Sequence, residues 1–283
     1  MSRKRGKSRI TRPEPSDFTP LPPEEEARLR AEAEAYAASD AQYESFAEPD
    51  EVEEPLGPPP DIEEALFALQ AWEDPAKAAQ AAAHHRAERR YLGVPVPAIE
   101  DMVTLWRAQL DVPGRVELAA QLWDSDIHEA RIAAAKLLTQ ARLRPDTEAW
   151  ALITSWVPQF DALALADHAC KAGAKRLEAD PARLDLIEEW IGSSHMWTRR
   201  AAFVITLPFT KARTPKPEES AARERILGWA TARADDPHGF VQSAIGGWLH
   251  ALSKKDPERV RIWLAQEGER LKPFAREEAA KAL

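Results

Sequence analysis

The recurrence of helix-start signals from Asp61 onward constrains the fold of this chain more than any other feature. Apolar residues fall at helical spacing throughout this stretch, and no segment alternates between apolar and polar residues as a half-buried strand would. Asp and Pro stand where helices should begin, because Asp accepts hydrogen bonds from the first free N–H groups and Pro at the first helical position loses none. The expected starts lie at Ile62, Pro75, Pro97, Pro113-Gly114, Asp126, Pro145-Asp146, Asp180-Pro181, Asp256-Pro257 and Lys272-Pro273. The pattern predicts an all-α fold of about a dozen helices.

A four-residue pattern recurs along this helical stretch: a small or branched residue, a polar residue, any residue, then Ala. Its polar positions are Arg131, Asp167, Arg199 and Gln242, which are separated by 36, 32 and 43 residues. Spacing of this order is typical of helical-pair repeats, in which small residues let neighbouring helices pack closely. We therefore predict a HEAT-like helical-repeat solenoid, an α-α superhelix. Most of the ten Trp residues fall at apolar positions of the pattern and are expected in its core.

Composition divides the chain into a tail, residues 1–60, and a helical-repeat domain, residues 61–283. The tail begins with six basic residues within Met1–Pro13 and continues as Pro-rich, acidic sequence. Its apolar residues are too sparse to offset the entropy of ordering it, so we expect most of it to be disordered. The basic start has two readings, a flexible arm that holds DNA phosphates or a solubilising tail with no partner.

Charge and cysteine content exclude several classes of protein. The formal net charge is −9, so any DNA-binding face must come from local clustering of basic residues. The single Cys170 excludes an internal disulfide. There is no signal peptide and no apolar run near membrane-spanning length, so we expect a soluble, cytoplasmic monomer with no membrane contact. No Walker-type or Rossmann glycine motif and no zinc-ligand spacing is present, and no cofactor or metal is expected.

Several short motifs, in their order and spacing, point to one family. They are Y-L-G-V-P-V-P at 91–97, D-S-D-I-H-E-A-R at 124–131, W-T-R-R-A at 197–201, F-V-Q-S-A-I-G-G-W-L at 240–249, D-P-E-R-V at 256–260 and R-E-E-A at 276–279. Across residues 61–283 the chain resembles the AlkD-like DNA alkylation repair family, which consists of HEAT-like repeat DNA glycosylases. The resemblance implies that double-stranded DNA with alkylated bases is the partner, bound on a concave basic face, and that cationic N-alkylated purines are excised or recognised.

The resemblance also implies site residues. The family's catalytic acid falls on Asp167, with Leu163 where the family has a Trp. Its phosphate-binding Arg falls on Arg200. Three basic neighbours are expected to extend this DNA-binding surface: Arg199, Lys171 and Lys175.

A second family Trp, which faces the lesion, falls on Gly247, so we assign lesion contact to Trp248, one residue further on. An alkylated purine already carries positive charge and leaves readily. A carboxylate can stabilise the developing charge, and an aromatic face can attract the cation.

Other readings of the same residues stay open. Asp161 follows Phe160 and imitates the acid in a different register, although that register puts Ala164 at the acid position. Asp167 and Lys171 are also spaced as an ordinary helix salt bridge. The absence of aromatics at Leu163 and Gly247 favours a non-catalytic scaffold that binds undamaged or branched DNA, or a protein partner. The retained Asp167 and Arg200 favour a DNA N-glycosylase that hydrolyses the N-glycosidic bond.

Overall fold

A computed structural model describes Ala27, Ala31 and residues 57–283. The predicted tail, including the basic segment Met1–Pro13, lies outside the described residues apart from Ala27, Ala31 and its last four positions. Between residues 57 and 283 the chain forms thirteen α-helices and no strand, with a single isolated β-bridge between Arg90 and Ile127. The predicted all-α helical-repeat fold is confirmed.

The helices have the following bounds. They are α1 (Ile62–Gln70), α2 (Pro75–His85), α3 (Val96–Gln109), α4 (Val112–Asp124), α5 (His128–Leu137), α6 (Thr147–Trp156), α7 (Leu163–Ala179), α8 (Leu184–Ile191), α9 (Met196–Ile205), α10 (Pro217–Ala232), α11 (Gly239–Ser253), α12 (Pro257–Glu267) and α13 (Pro273–Ala280). Short 3₁₀ turns lie at Val157–Gln159, Pro181–Arg183, Leu207–Thr210 and Gly268–Arg270. Every described helix is therefore short enough to be one half of a helical pair. None is long and apolar enough to cross a bilayer within the described part of the chain.

Local sequence explains where most helices begin. The carboxylates of Asp61, Asp74, Asp111 and Asp256 each accept a hydrogen bond from a backbone N–H of the first turn that follows. The expected start at Asp126 is wrong, because α5 begins at His128. Asp126 instead has a backbone φ of 53° and directs its carboxylate at two arginines, 3.1 Å from Arg131 and 3.5 Å from Arg89.

The helices form two layers. The inner layer is a ladder in which α3, α5, α7, α9, α11 and α13 each pack on the next one in this order. The outer layer consists of α4, α6, α8, α10 and α12. Of these, α4, α6, α8 and α12 each pack on an inner helix next to them in sequence, whereas α10 packs on α8 and on the 3₁₀ turn Leu207–Thr210. The core lies between the layers and contains seven of the ten Trp residues, among them Trp123 and Trp156, whose rings stack 4.3 Å apart.

Ion pairs join consecutive repeats. Asp146 binds Arg183 at 2.8 Å, Glu224 binds Arg259 at 2.7 Å, and Glu188 pairs with Arg225. The partners lie 37, 35 and 37 residues apart. The repeat length inferred from the small-polar-x-Ala pattern thus reappears as the spacing of contacts between neighbouring repeats.

The segment after α2 covers α5, the second inner helix of the ladder. The backbone N–H groups of Leu92 and Gly93 donate to the carboxylate of Glu129 at 2.9 and 2.7 Å. His128 stacks on His85 with ring centroids 4.4 Å apart. Together with the neighbouring helices, these contacts bury all ten residues of α5.

Candidate functional site

The candidate site is centred on an ion pair between two neighbouring inner helices. Asp167 lies on α7 and Arg200 on α9, and an Nη atom of Arg200 donates to the Asp167 carboxylate. The Asp167 side chain is 36% exposed, whereas that of Arg200 is 10% exposed. The Nε atom of Arg200 is buried and has no hydrogen-bond partner within the described residues. The pair therefore presents a carboxylate to solvent and keeps most of its guanidinium beneath the surface.

Asp167 differs from the other polar residues at its repeat position. Arg131 donates to Trp123 O at 3.0 Å, and Gln242 donates to Ala234 O at 2.6 Å, so both hold the turn that precedes their own helix. Arg199 does the same through Ser193 O and Ser194 O, each at 2.9 Å. Asp167 has no donor to offer and is directed at the next helix instead. Among these four positions it alone is available to a ligand.

Arg199 is not a surface contact, and its predicted role in binding DNA is wrong. The residue is 5% exposed, and its Nε lies 2.7 Å from the Asp236 carboxylate, which is also buried. Successive helical residues point about 100° apart, so Arg199 turns into the interior while Arg200 reaches Asp167. Arg199 stabilises the turn between α8 and α9 and joins it to the next repeat.

Lys171 and Lys175 lie on α7, one and two turns beyond Asp167, and both are partly exposed. Lys175 also lies 3.6 Å from Glu178. Helices α5, α7 and α9 together contain seven Lys or Arg and three acidic residues, whereas the outer helices α6 and α8 contain four acids and no Lys or Arg. Positive charge is therefore concentrated in the inner layer of an acidic protein.

The predicted lesion contact by Trp248 is also wrong. Trp248 is 1% exposed, and its indole N–H donates to Thr206 O at 3.4 Å, so the ring belongs to the core. Gly247 is partly exposed, and a Cβ added there would meet no atom within 4 Å. Gly246 by contrast packs against α13, where an added Cβ would lie 2.6 Å from Ala275 O. Gly247 faces open space and Trp248 faces inward.

A pair of aromatic side chains lies next to the ion pair. The sequence did not predict that these side chains belong to the site. The Arg200 guanidinium carbon lies 6.0 Å from the ring centroid of Trp197, one turn earlier on α9. Trp197 in turn contacts Phe240 of α11, with ring centroids 4.9 Å apart, and both rings are partly exposed. Trp197 is the first residue of the W-T-R-R-A motif and Phe240 is the first residue of F-V-Q-S-A. Both therefore belong to motifs of the sequence, which assigned them no role. We call these two residues the aromatic pair.

The other reactive groups near the site are not suited to chemistry. Burial raises the pKa of the Cys170 thiol, which leaves it protonated and unreactive in the core. Asp161, the acid of the alternative register, pairs with the largely buried Arg89. No cluster of three His, Cys, Asp or Glu side chains within the described residues is arranged to hold a metal ion. Asp167 is an accessible carboxylate that pairs with Arg200, and the Arg200 guanidinium lies near the Trp197 ring.

Comparison with known proteins agrees with this arrangement of helices. The profile of the family described as DNA alkylation repair enzyme matches residues 65–283. A structure from Enterococcus faecalis described as a predicted DNA alkylation repair enzyme is 20% identical, covers 75% of this chain and 96% of its own, and superposes with a TM-score of 0.64. AlkD2 from Streptococcus mutans is 20% identical, with 72% and 98% of the two chains covered and a TM-score of 0.51. No curated protein sequence matches the chain significantly. At these identities the two structures share the fold.

Proposed function

Because the chain belongs to the DNA alkylation repair enzyme family, we propose that it binds duplex DNA on its inner helical layer and excises cationic N-alkylated purines. The observation that carries the proposal is Asp167, the one polar repeat residue that is directed at a neighbouring inner helix and open to solvent. The partly exposed Lys171 and Lys175, on α7 beside Asp167, support DNA binding at this layer, since local clustering can attract phosphates to an acidic protein.

The proposed reaction uses the charge that the lesion already carries. The C1′–N9 bond breaks and its electron pair moves to the alkylated purine, which departs as a neutral base. Positive charge then develops on the deoxyribose, where the Asp167 carboxylate stabilises it. A water oxygen bonds to C1′ and its proton passes to Asp167 and then to solvent.

The aromatic pair supplies the cation-attracting surface that Leu163 and Gly247 lack. Aromatic faces attract cations through the ring quadrupole, with a contribution of about 0.5–2 kcal/mol. Trp197 already lies near the Arg200 cation, which is evidence that its ring faces positive charge at this site. In this proposal Trp197 and Phe240 bind the alkylated base.

A second candidate is a non-catalytic scaffold that recognises undamaged or branched DNA through the same layer. The specific observation in its favour is the ion pair itself, since the Asp167 carboxylate is already partnered by Arg200. Leu163 and Gly247, which leave two positions without an aromatic ring, favour it as well.

Base release from methylated duplex DNA separates the two candidates. We expect slow release by the wild type and a loss of roughly a hundredfold or more in Asp167→Asn, the size typical of removing a general base. Asp161→Asn is the matched control, because it removes a nearby carboxylate that pairs with Arg89 and should keep most of the activity. Trp197→Leu should reduce release by about tenfold, in line with the loss of one cation–aromatic contact.

The glycosylase proposal is refuted if wild type and Asp167→Asn release methylated bases at the same background rate. If Asp161→Asn loses as much activity as Asp167→Asn, the acid has been assigned in the wrong register.

A further inference from the structure

In the ion pair, Asp167 and Arg200 neutralise each other. A damaged nucleotide would need the carboxylate for its cationic base and the guanidinium for its phosphate. Arg200 gives an N–H to Asp167, and its buried Nε has no partner in the described part of the chain. Because that Nε is buried, a second anion would have to reach Arg200 on the Nη side of its guanidinium, where Asp167 is bound. Asp167 is the more exposed partner and stands between Arg200 and solvent.

Undamaged DNA offers this site only negative charge. A phosphate that approaches Arg200 must compete with the Asp167 carboxylate and is repelled by it, because like charges a few ångströms apart are unfavourable. A free cationic base has the opposite problem, since it would draw Asp167 away and leave the Arg200 guanidinium beside a second cation. A ligand with one kind of charge therefore breaks one ion pair and leaves a charge unpaired.

A nucleotide with a cationic base and an adjacent phosphate has both charges. Its base can form an ion pair with Asp167 while its phosphate forms one with Arg200. Two new ion pairs then replace the one between Asp167 and Arg200. We propose that Asp167 holds Arg200 as an electrostatic gate that weakens contact with undamaged DNA and opens to a cationic base carried next to a phosphate. This inference rests on the proposed function and adds a means of discrimination that does not depend on excision.

The gate predicts an unusual binding result for a carboxylate variant. Asp167→Asn should bind a short undamaged duplex about fivefold more tightly than the wild type, the upper range expected for one exposed charge pair. The slope of log affinity against log salt should steepen by about 0.9, because Arg200 gains one phosphate contact. Asp167→Ser, a second neutral variant, should behave in the same way.

Two control variants isolate the gate from a general change in net charge. Glu189→Gln removes one negative charge from the exposed surface of the outer helix α8 and should change affinity for undamaged DNA much less. Asp167→Asn combined with Arg200→Gln should lose the gain, since no guanidinium remains to be released. Unchanged melting temperatures would show that each variant folds.

The gate is overturned if Asp167→Asn and Asp167→Ser bind the undamaged duplex no more tightly than Glu189→Gln, or if the gain persists without Arg200. Base release is measured separately on methylated DNA. Tighter binding by Asp167→Asn with no base release by the wild type would support the gate and refute the glycosylase. Base release by the wild type with no gain in binding by Asp167→Asn would support the glycosylase and refute the gate.

Discussion

Two buried histidines, His128 and His168, and the partly buried His85 should make the fold sensitive to mild acid. Burial lowers the pKa of His85 to about 4, and burial likewise lowers the pKa values of His128 and His168 well below their usual range. In the folded chain these imidazoles stay neutral at pH 5, whereas in the unfolded chain they take up protons below a pH of about 6.5. The stability that they contribute is therefore complete above pH 6.5 and is lost as the pH falls.

The size of the loss follows from proton linkage. A histidine that is neutral when folded and protonated when unfolded costs about 2 kcal/mol of folding free energy at pH 5 relative to pH 8. His85, with its pKa of about 4, accounts for about 2 kcal/mol of this kind, and His128 and His168 add to the loss in the same direction. Ion-paired carboxylates titrate below this window; the hydrogen bond from Arg183, for example, lowers the pKa of Asp146. The window between pH 6.5 and 5 therefore reports mainly on histidines.

Urea unfolding at a series of pH values between 8 and 5 measures this effect. We expect the free energy of unfolding to be flat above pH 7 and to fall steeply below 6.5. His128→Phe should reduce the pH-dependent loss whatever its effect on absolute stability, because one linked proton is removed. A free energy of unfolding that stays constant within about 1 kcal/mol from pH 7 to 5 would refute the reasoning.

Two further predictions concern packing. Gly246→Ala should destabilise the fold by about 1–3 kcal/mol, since its Cβ would meet Ala275 O at 2.6 Å, whereas Gly247→Ala, in open space, should stabilise α11 by up to about 1 kcal/mol. Equal melting temperatures for the two variants would contradict this. Asp236→Asn should cost about 3–5 kcal/mol in urea unfolding, because it leaves the buried Arg199 without its counter-ion. A loss below about 1 kcal/mol would show that the pair is dispensable.

The sequence predicted the fold well because its signals are local. Helical periodicity, capping carboxylates and prolines act within one or two turns, so Pro75 and Asp256-Pro257 marked their helices correctly. Asp126 failed because a more distant interaction decides its conformation, namely its contact with Arg89 and Arg131.

The site was harder to predict because it depends on which way each side chain turns. Arg199 and Arg200 are neighbours in sequence, yet one is buried against Asp236 and the other reaches Asp167. Trp248 carried the expected aromatic ring but turns into the core. These directions follow from how adjacent helices pack, which one sequence does not reveal.

The two-layer ladder also has a mechanical consequence. The carboxylate, the guanidinium and the aromatic pair lie on three consecutive inner helices, α7, α9 and α11, and within the inner layer each of these helices packs on its immediate neighbours in the ladder. In such a quasi-one-dimensional stack, small rotations between repeats add up to bending of the whole array. In the complex proposed above, a duplex that flexes the superhelix would therefore change the distance between Asp167 and Phe240, and with it how closely these two residues approach the base.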